Sequence, residues 1–247
     1  MVLMFFITGF AGETRDASFV PPSELTATLA EHLNVDLHWK NNATAPGGGW
    51  VEFTTPGDDF IKLDAVWPDK TTFRHPDVAP ETKFIYRIRP FYGKPSKAVV
   101  VTTGSAPSKP STEDEGPLDE PNKTKSADVA HQKSIRSIST FEDAAADQVT
   151  VKLSSPTSAV IRWEDRASDE DGYLVEVSAD PQKDFKICAL LPANTTSFRK
   201  IQLPADMKCY FRVRAFFYGE PSNQASINTP SAAATPMHAA QPAQPNP

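Results

Sequence analysis

Five histidines, two cysteines and one tight run of carboxylates are the residues of this chain that could carry chemistry. His32, His38, His75, His131 and His238 are scattered, and none falls in the H-E-x-x-H or C-x-x-C setting that brings zinc ligands together. His38, beside Trp39, reads as a solvated strand residue. Asp165, Asp169, Glu170 and Asp171 offer hard oxygen ligands of the kind that hold Ca²⁺ when a loop converges them, but their spacing departs from the calcium-loop pattern D-x-[DN]-x-[DN]-G. A solvated loop with one carboxylate capping a neighbouring turn is expected there. Cys188 and Cys209 lack metal-ligand spacing; they read as small buried hydrophobes, with a disulfide between them as the alternative. Gly47-Gly48-Gly49 precedes a strand with no Lys or helix behind it, so it reads as a flexible turn and not as a phosphate cradle. No nucleophile, base and orienting group come together, so catalytic, metal and cofactor-binding residues are all expected to be absent.

Aromatic residues are the better candidates for contact. Phe91-Tyr92-Gly93 and Phe216-Phe217-Tyr218-Gly219 each follow an Arg-rich strand, and Trp67 opens the turn Trp67-Pro68-Asp69-Lys70. Rings with a polar tip bury much area at small entropic cost, which suits a partner surface. Trp67, Tyr92, Phe217 and Tyr218 are therefore the candidate partner-binding residues, displayed in turns and hairpin loops. Asn42-Ala43-Thr44, Asn122-Lys123-Thr124 and Asn194-Thr195-Thr196 match the glycosylation sequon, a pattern common by chance.

The elements that must position these residues come in two copies. Trp39 and Trp163, Phe73 and Phe198, and Tyr92 and Tyr218 recur roughly 125 residues apart, with single-residue slips of the kind loop insertions make. Each copy spans roughly 80 to 90 residues, enough for a self-sufficient core, and is expected to fold alone. Ala159, Ile161 and Trp163 alternate with Val160 and Arg162; Cys209, Phe211, Val213 and Ala215 alternate with Tyr210, Arg212 and Arg214. This period of two makes strands with one oily and one polar face. Leu37, Trp39, Val51, Phe53, Phe73, Phe84, Tyr86 and Ile88 repeat the scheme in the first copy. With 39 % hydrophobic residues and 23 prolines in 247 residues, short strands joined by many turns are expected, and the class is all-β.

Between the copies, residues 105–147 are rich in Ser, Pro, Lys and acids, a composition that buries too little apolar surface to offset its ordering entropy. A disordered linker is expected, with two domains tumbling independently; within it, Ile135 to Phe141 is apolar enough to dock transiently or bind a partner, or else is a loose end of the next domain. Residues 231–247 form an Ala/Pro tail, expected to be disordered. Residues 1–20 hold an apolar run, Val2 to Gly12, too short for a membrane span but suited to a secretory signal. It lacks a basic leader, since the first basic residue is Arg15. The net charge of −6 argues against a duplex nucleic-acid binder.

These residues resemble a known family. Trp163-Glu164-Asp165, the segment Asp169 to Glu176, Asn194-Thr195-Thr196-Ser197-Phe198 and Tyr210-Phe211-Arg212-Val213-Arg214-Ala215 are similar to the tryptophan strand, the E-x-G-[YF]-x-[IV]-E strand, the N-x-T-[ST]-[YF] turn and the Y-x-[VF]-R-V-R-A strand of bacterial-type fibronectin type III domains. The resemblance implies two immunoglobulin-like β-sandwich domains, 21–104 (divergent) and 148–230. Both copies depart from the family at the corner tyrosine, where Phe84 and Cys209 stand, losing a buried hydrogen bond in each. The family implies a non-catalytic, exported protein mediating protein contact, adhesion or spacing at the cell surface, with an extracellular or envelope protein as partner. The alternative is a polysaccharide-binding accessory module beside extracellular carbohydrate-active enzymes.

Overall fold

The computed structural model describes residues 17–45, 47–106, 112–118 and 131–231. The first copy supplies β1 (Ser23–Ala30), β2 (Asn34–Lys40), β3 (Gly47–Thr54), β4 (Ile61–Val66), β5 (Thr72–His75), β6 (Lys83–Tyr92) and β7 (Val99–Thr102). After the short β8 (Gly116–Pro117), the second supplies β9 (Asp147–Ser155), β10 (Ser158–Glu164), β11 (Gly172–Ser178), β12 (Lys186–Pro192), β13 (Ser197–Lys200), β14 (Lys208–Tyr218) and β15 (Ala225–Asn228). All pairings between these strands are antiparallel, and the class is all-β as expected.

The period-2 pattern sets both cores. In the first sandwich the sheet β1-β2-β5 packs its Leu25, Val35, Leu37 and Trp39 against Val51, Val66, Phe84, Tyr86 and Ile88 of the facing sheet β4-β3-β6. In the second, β8-β13-β10-β9 brings Ala159, Ile161, Trp163 and Phe198 onto Tyr173, Val175, Phe211, Val213 and Ala215 of β12-β11-β14.

The last strand of each sandwich comes from the other copy. β6 pairs with β3 along one edge, and on its other edge Lys83 to Tyr86 take β15, with Tyr86 opposite Ala225 and Lys83 opposite Asn228. β14 pairs with β11, and its free edge takes β7, with Phe211 opposite Val99 and Lys208 opposite Thr102. Where the two strands leave their own sandwiches they meet, Tyr92 opposite Phe217 and Phe91 opposite Tyr218, so that one eight-stranded sheet runs through both halves.

Two matching segments cause the exchange: Gly93-Lys94-Pro95-Ser96 and Gly219-Glu220-Pro221-Ser222. Proline fixes its own φ and biases the preceding residue away from the helical region, which is compatible with the extended path the chain takes across to the other sandwich. The Ser96 N–H then donates to the Val213 carbonyl (2.8 Å), and the Val213 N–H donates to Ser96 Oγ (3.0 Å). On the other side, the Ser222 N–H donates to the Ile88 carbonyl and the Ile88 N–H to Ser222 Oγ, both at 2.9 Å. The crossing is so close that a Cβ on Gly93 would lie 2.0 Å from the Ala215 carbonyl oxygen.

Several expectations are corrected. Phe91-Tyr92-Gly93 and Phe216-Phe217-Tyr218-Gly219 are not hairpin loops but the ends of strands at the crossing. The two copies are not independent, because neither sandwich closes without a strand from the other. Of the expected disordered linker, 112–118 joins the second sandwich through β8, and 131–147 folds onto it as a series of turns that bury Ile135, Phe141, Ala144 and Ala146. Four small or apolar side chains were enough to seat a stretch whose average composition looks solvated. Residues 17–20, assigned to an export segment, belong to the fold, with Phe19 packed on the second core; 1–16, 119–130 with Asn122, and 232–247 lie outside the described residues. Gly47 to Gly49 open β3 instead of forming a turn, and the packing there needs glycine, since a Cβ on Gly48 would meet the Phe91 ring at 2.5 Å. The disulfide alternative is excluded: β11 separates Cys188 on β12 from Cys209 on β14, leaving them two strand spacings, roughly 10 Å, apart.

Candidate functional site

The outward residues of β6 and β14 build the junction. Arg87 of β6 donates from Nε to Glu52 of β3 at 2.7 Å. At the equivalent place Glu176 of β11, fully buried, accepts from Arg212 Nε and from Arg214 Nε, the latter at 2.8 Å. Arg214 is 3 % exposed and also donates from Nη1 to the Gly93 carbonyl of the crossing segment. Burial pulls its pKa down, against the opposing pull of Glu176.

Around these charges lies a third apolar cluster made by both halves: Trp50 and Phe91 from the first, Leu174 and Phe216 from the second, with Trp67 and Tyr218 packed at its margin. Phe91 meets Phe216 edge-on at 6.1 Å and Trp67 at 6.3 Å. Each marginal ring carries a guanidinium from the other half. Arg214 Cζ stands 5.5 Å from the Trp67 centroid and Arg89 Cζ 4.4 Å from that of Tyr218, with Lys62 Nζ 5.6 Å from the same ring. Such contacts contribute about 0.5–2 kcal/mol each, depending on desolvation.

The opposite face of the crossing holds a second aromatic group, in which Phe19, Tyr92 and Phe217 meet with centroids 5.1 to 5.4 Å apart and Phe141 closes over Phe19 at 5.5 Å. Tyr92 is 2 % and Phe217 6 % exposed, and the Tyr92 hydroxyl donates to the Val20 carbonyl. Burial pushes the Tyr92 phenol up to about 12. Two of the four candidate partner-binding residues are thus core and cannot present a ring to a partner; Trp67 and Tyr218 remain half-buried on the other face. A cavity of about 60 Å³ beside Trp67, lined also by Asn41, Gly48 and Tyr92, is far below the few hundred Å³ of a typical small-molecule pocket.

The acidic run is structural. Asp169 accepts from Ser134 Oγ (2.6 Å) and the Ile135 N–H (2.7 Å), seating the 131–147 segment. Asp171 accepts from Arg136 Nη2 and from the Tyr218 N–H, both at 2.7 Å, tying that segment to the crossing. Glu170, 8 % exposed, accepts from the Asn194 N–H, and Asp165 accepts from the Tyr173 hydroxyl. Burial raises the pKa of both carboxyls, most strongly opposed in each case by the hydrogen bond just named. The expectation of a solvated loop is corrected, although Glu170 does cap the Asn194 turn. Among the described residues no group of three or more His, Cys, Asp or Glu is placed to hold a metal ion.

Sequence reasoning missed Arg89, Arg214, Glu176 and the two Gly-x-Pro-Ser segments. The repeated Gly-x-Pro-Ser was legible as a shared motif; that it crosses from one sandwich to the other depends on pairing partners more than a hundred residues away.

Strand order defines the fold as two immunoglobulin-like β-sandwiches in tandem: β1-β2-β5 faces β4-β3-β6-β15, and β9-β10-β13, extended by the two-residue β8, faces β12-β11-β14-β7, an architecture shared by fibronectin type III domains. Among solved structures the chain is similar to a two fibronectin type-III domain segment from chicken tenascin, at 11 % identity over 84 % of this chain and 99 % of that one, with a TM-score of 0.26. It is also similar to the chicken CNTN1 FN1-FN3 domains, at 16 % identity over 87 % of this chain and 68 % of that one, with a TM-score of 0.28. No protein-family model matches the sequence, and no curated protein matches it significantly. No helix among the described residues is long and apolar enough to cross a membrane.

Proposed function

We propose that the chain is a non-catalytic, exported protein whose two fibronectin type III sandwiches, held in one body, mediate protein contact or spacing at the cell surface. The observation that carries this reading is the pair Trp67 and Tyr218: partly buried rings from different halves on one face, each under a guanidinium from the other half. Aromatic and Arg side chains dominate the energetics of protein interfaces, and a face set rigidly across two domains fixes the spacing of whatever it holds. The partner is an extracellular or envelope protein. The polysaccharide alternative loses its basis, since it needs open rings, and here two candidates are buried and guanidinium groups stand over the other two.

The test is affinity capture from cell-envelope protein extracts, comparing the intact chain with Trp67→Ala/Tyr218→Ala. A retained melting transition with capture reduced about tenfold or more is expected, the size of effect that losing one hot-spot residue produces. Equal capture by both proteins would remove the junction as the contact face.

A further inference from the structure

We propose that the partner for the exchanged strands is also a second copy of this chain, so that the first half of one copy closes on the second half of another and two complete bodies form from two chains. The acceptor for the C-terminal strand is a specified peptide site. Asn223 Nδ2 donates to the Leu25 carbonyl (2.9 Å) while the Leu25 N–H donates to Asn223 Oδ1 (3.0 Å). Ala225 and Ile227 pack against the first core, Thr229 Oγ1 donates to the Ala79 carbonyl and accepts from the Thr82 N–H, and the Glu81 N–H donates to the Pro230 carbonyl. The reciprocal site on the second half is as well defined. Val99 and Val101 pack against its core, and beyond β7 Thr103 Oγ1 donates to the Pro204 carbonyl at 2.6 Å and the Gly104 N–H to the Pro156 carbonyl at 2.8 Å.

None of these contacts, nor the Phe91–Phe216 cluster between the halves, depends on whether the two halves belong to the same chain. The covalent path from one half to the other leaves the second sandwich after Ser105, whose hydroxyl donates to Asp206, and rejoins that sandwich at Glu113, Glu115 and β8. The advantage of the chain's own partner is therefore effective concentration, on the order of 1 mM for a tether of this kind. Reciprocal exchange at no loss of native contacts is the low-cost route to a dimer. Refolding at about 1 mM then divides the chains about equally between self-closed and cross-closed forms, and at about 0.1 mM the cross-closed share falls to about a tenth.

Ile85 of β6 faces Ser226 of β15, which supplies the test. Chains carrying Ile85→Cys and chains carrying Ser226→Cys are unfolded together under reductant, refolded at about 1 mM, and oxidised only after folding. Cys209 is buried and burial pushes the Cys188 thiol up to about 12, so the engineered pair reacts first. The expected product is a disulfide-linked hybrid in a particle of twice the monomer mass, falling about fivefold in yield at about 0.1 mM. A single chain carrying both substitutions should form the same bridge internally when refolded dilute. Absence of the hybrid at about 1 mM while the double variant closes on itself would overturn the proposal. Failure of the double variant to close would overturn the exchanged pairing on which it rests.

Discussion

β6 and β14 carry the same outward arginines and use them differently. In the second half Glu176 takes both Arg212 and Arg214; in the first Glu52 takes Arg87 alone, and Arg89 stands over Tyr218 with its Nε lacking a hydrogen-bond partner. β14 runs for 11 residues and β6 for 10, and the additional Tyr218 lies opposite Phe91 at the crossing, with its ring under Arg89. Each half sets two guanidinium groups against one carboxylate, but in the second the carboxylate holds both and in the first one cation is left for an aromatic ring. The repeat alone would suggest symmetry; the extra residue breaks it at the crossing of β6 and β14.

Removing the carboxylates should expose that difference. Glu176→Ala leaves Arg214 buried and unpaired, and a loss of about 3–5 kcal/mol in chemical denaturation is expected. Glu52→Ala frees Arg87, whose side chain is 20 % exposed and can hydrate, so a smaller loss of about 1.5–3 kcal/mol is expected. Equal losses would break the comparison.

A third substitution sharpens the contrast between core and linker. Ile135→Val should lower stability by about 0.5–1.5 kcal/mol, the range for a buried methylene, whereas a solvated linker position would show no change in the urea midpoint.

The smallest effect is in pH dependence, and the halves should respond in opposite directions. Burial lowers the pKa of His75 in the first half, so the unfolded chain takes the proton first and stability is lost as pH falls below about 6.5. In the second half burial raises Asp165 and Glu170; the folded state takes the proton first, and stability is lost as pH rises from about 4 through their folded values. Urea titrations across this range should show His75→Gln flattening the acid-side loss and Asp165→Asn flattening the loss on the way up. Parallel responses of the two variants would contradict the assignment.

Strand faces were legible because alternation is a local property: Trp39, Trp163, Phe211 and Val213 lie in the cores where a period of two puts them. Pairing partners were not legible. Val99-Val100-Val101-Thr102 closes the second sandwich and Ala225-Ser226-Ile227-Asn228 the first, and nothing within either segment says which edge it closes. Tyr92 and Phe217 were identified as contact residues for a sound reason, being large rings after an Arg-rich strand, but the surface they cover belongs to the same chain. Ile135 to Phe141 stood out as apolar within the linker and do belong to the next domain's core, but their anchoring by Asp169 and Asp171 depends on residues more than thirty positions away.

β15 also sets an order of events during synthesis. The first sandwich has made all of its own strands once Tyr92 has been added, yet its closing strand begins at Ala225. At the usual rates of translation that interval is on the order of ten seconds, during which the edge of β6 stands open on a nascent chain. Neighbouring ribosomes on one message would hold several such edges close together, and a chaperone or the second half's own emergence has to end the wait.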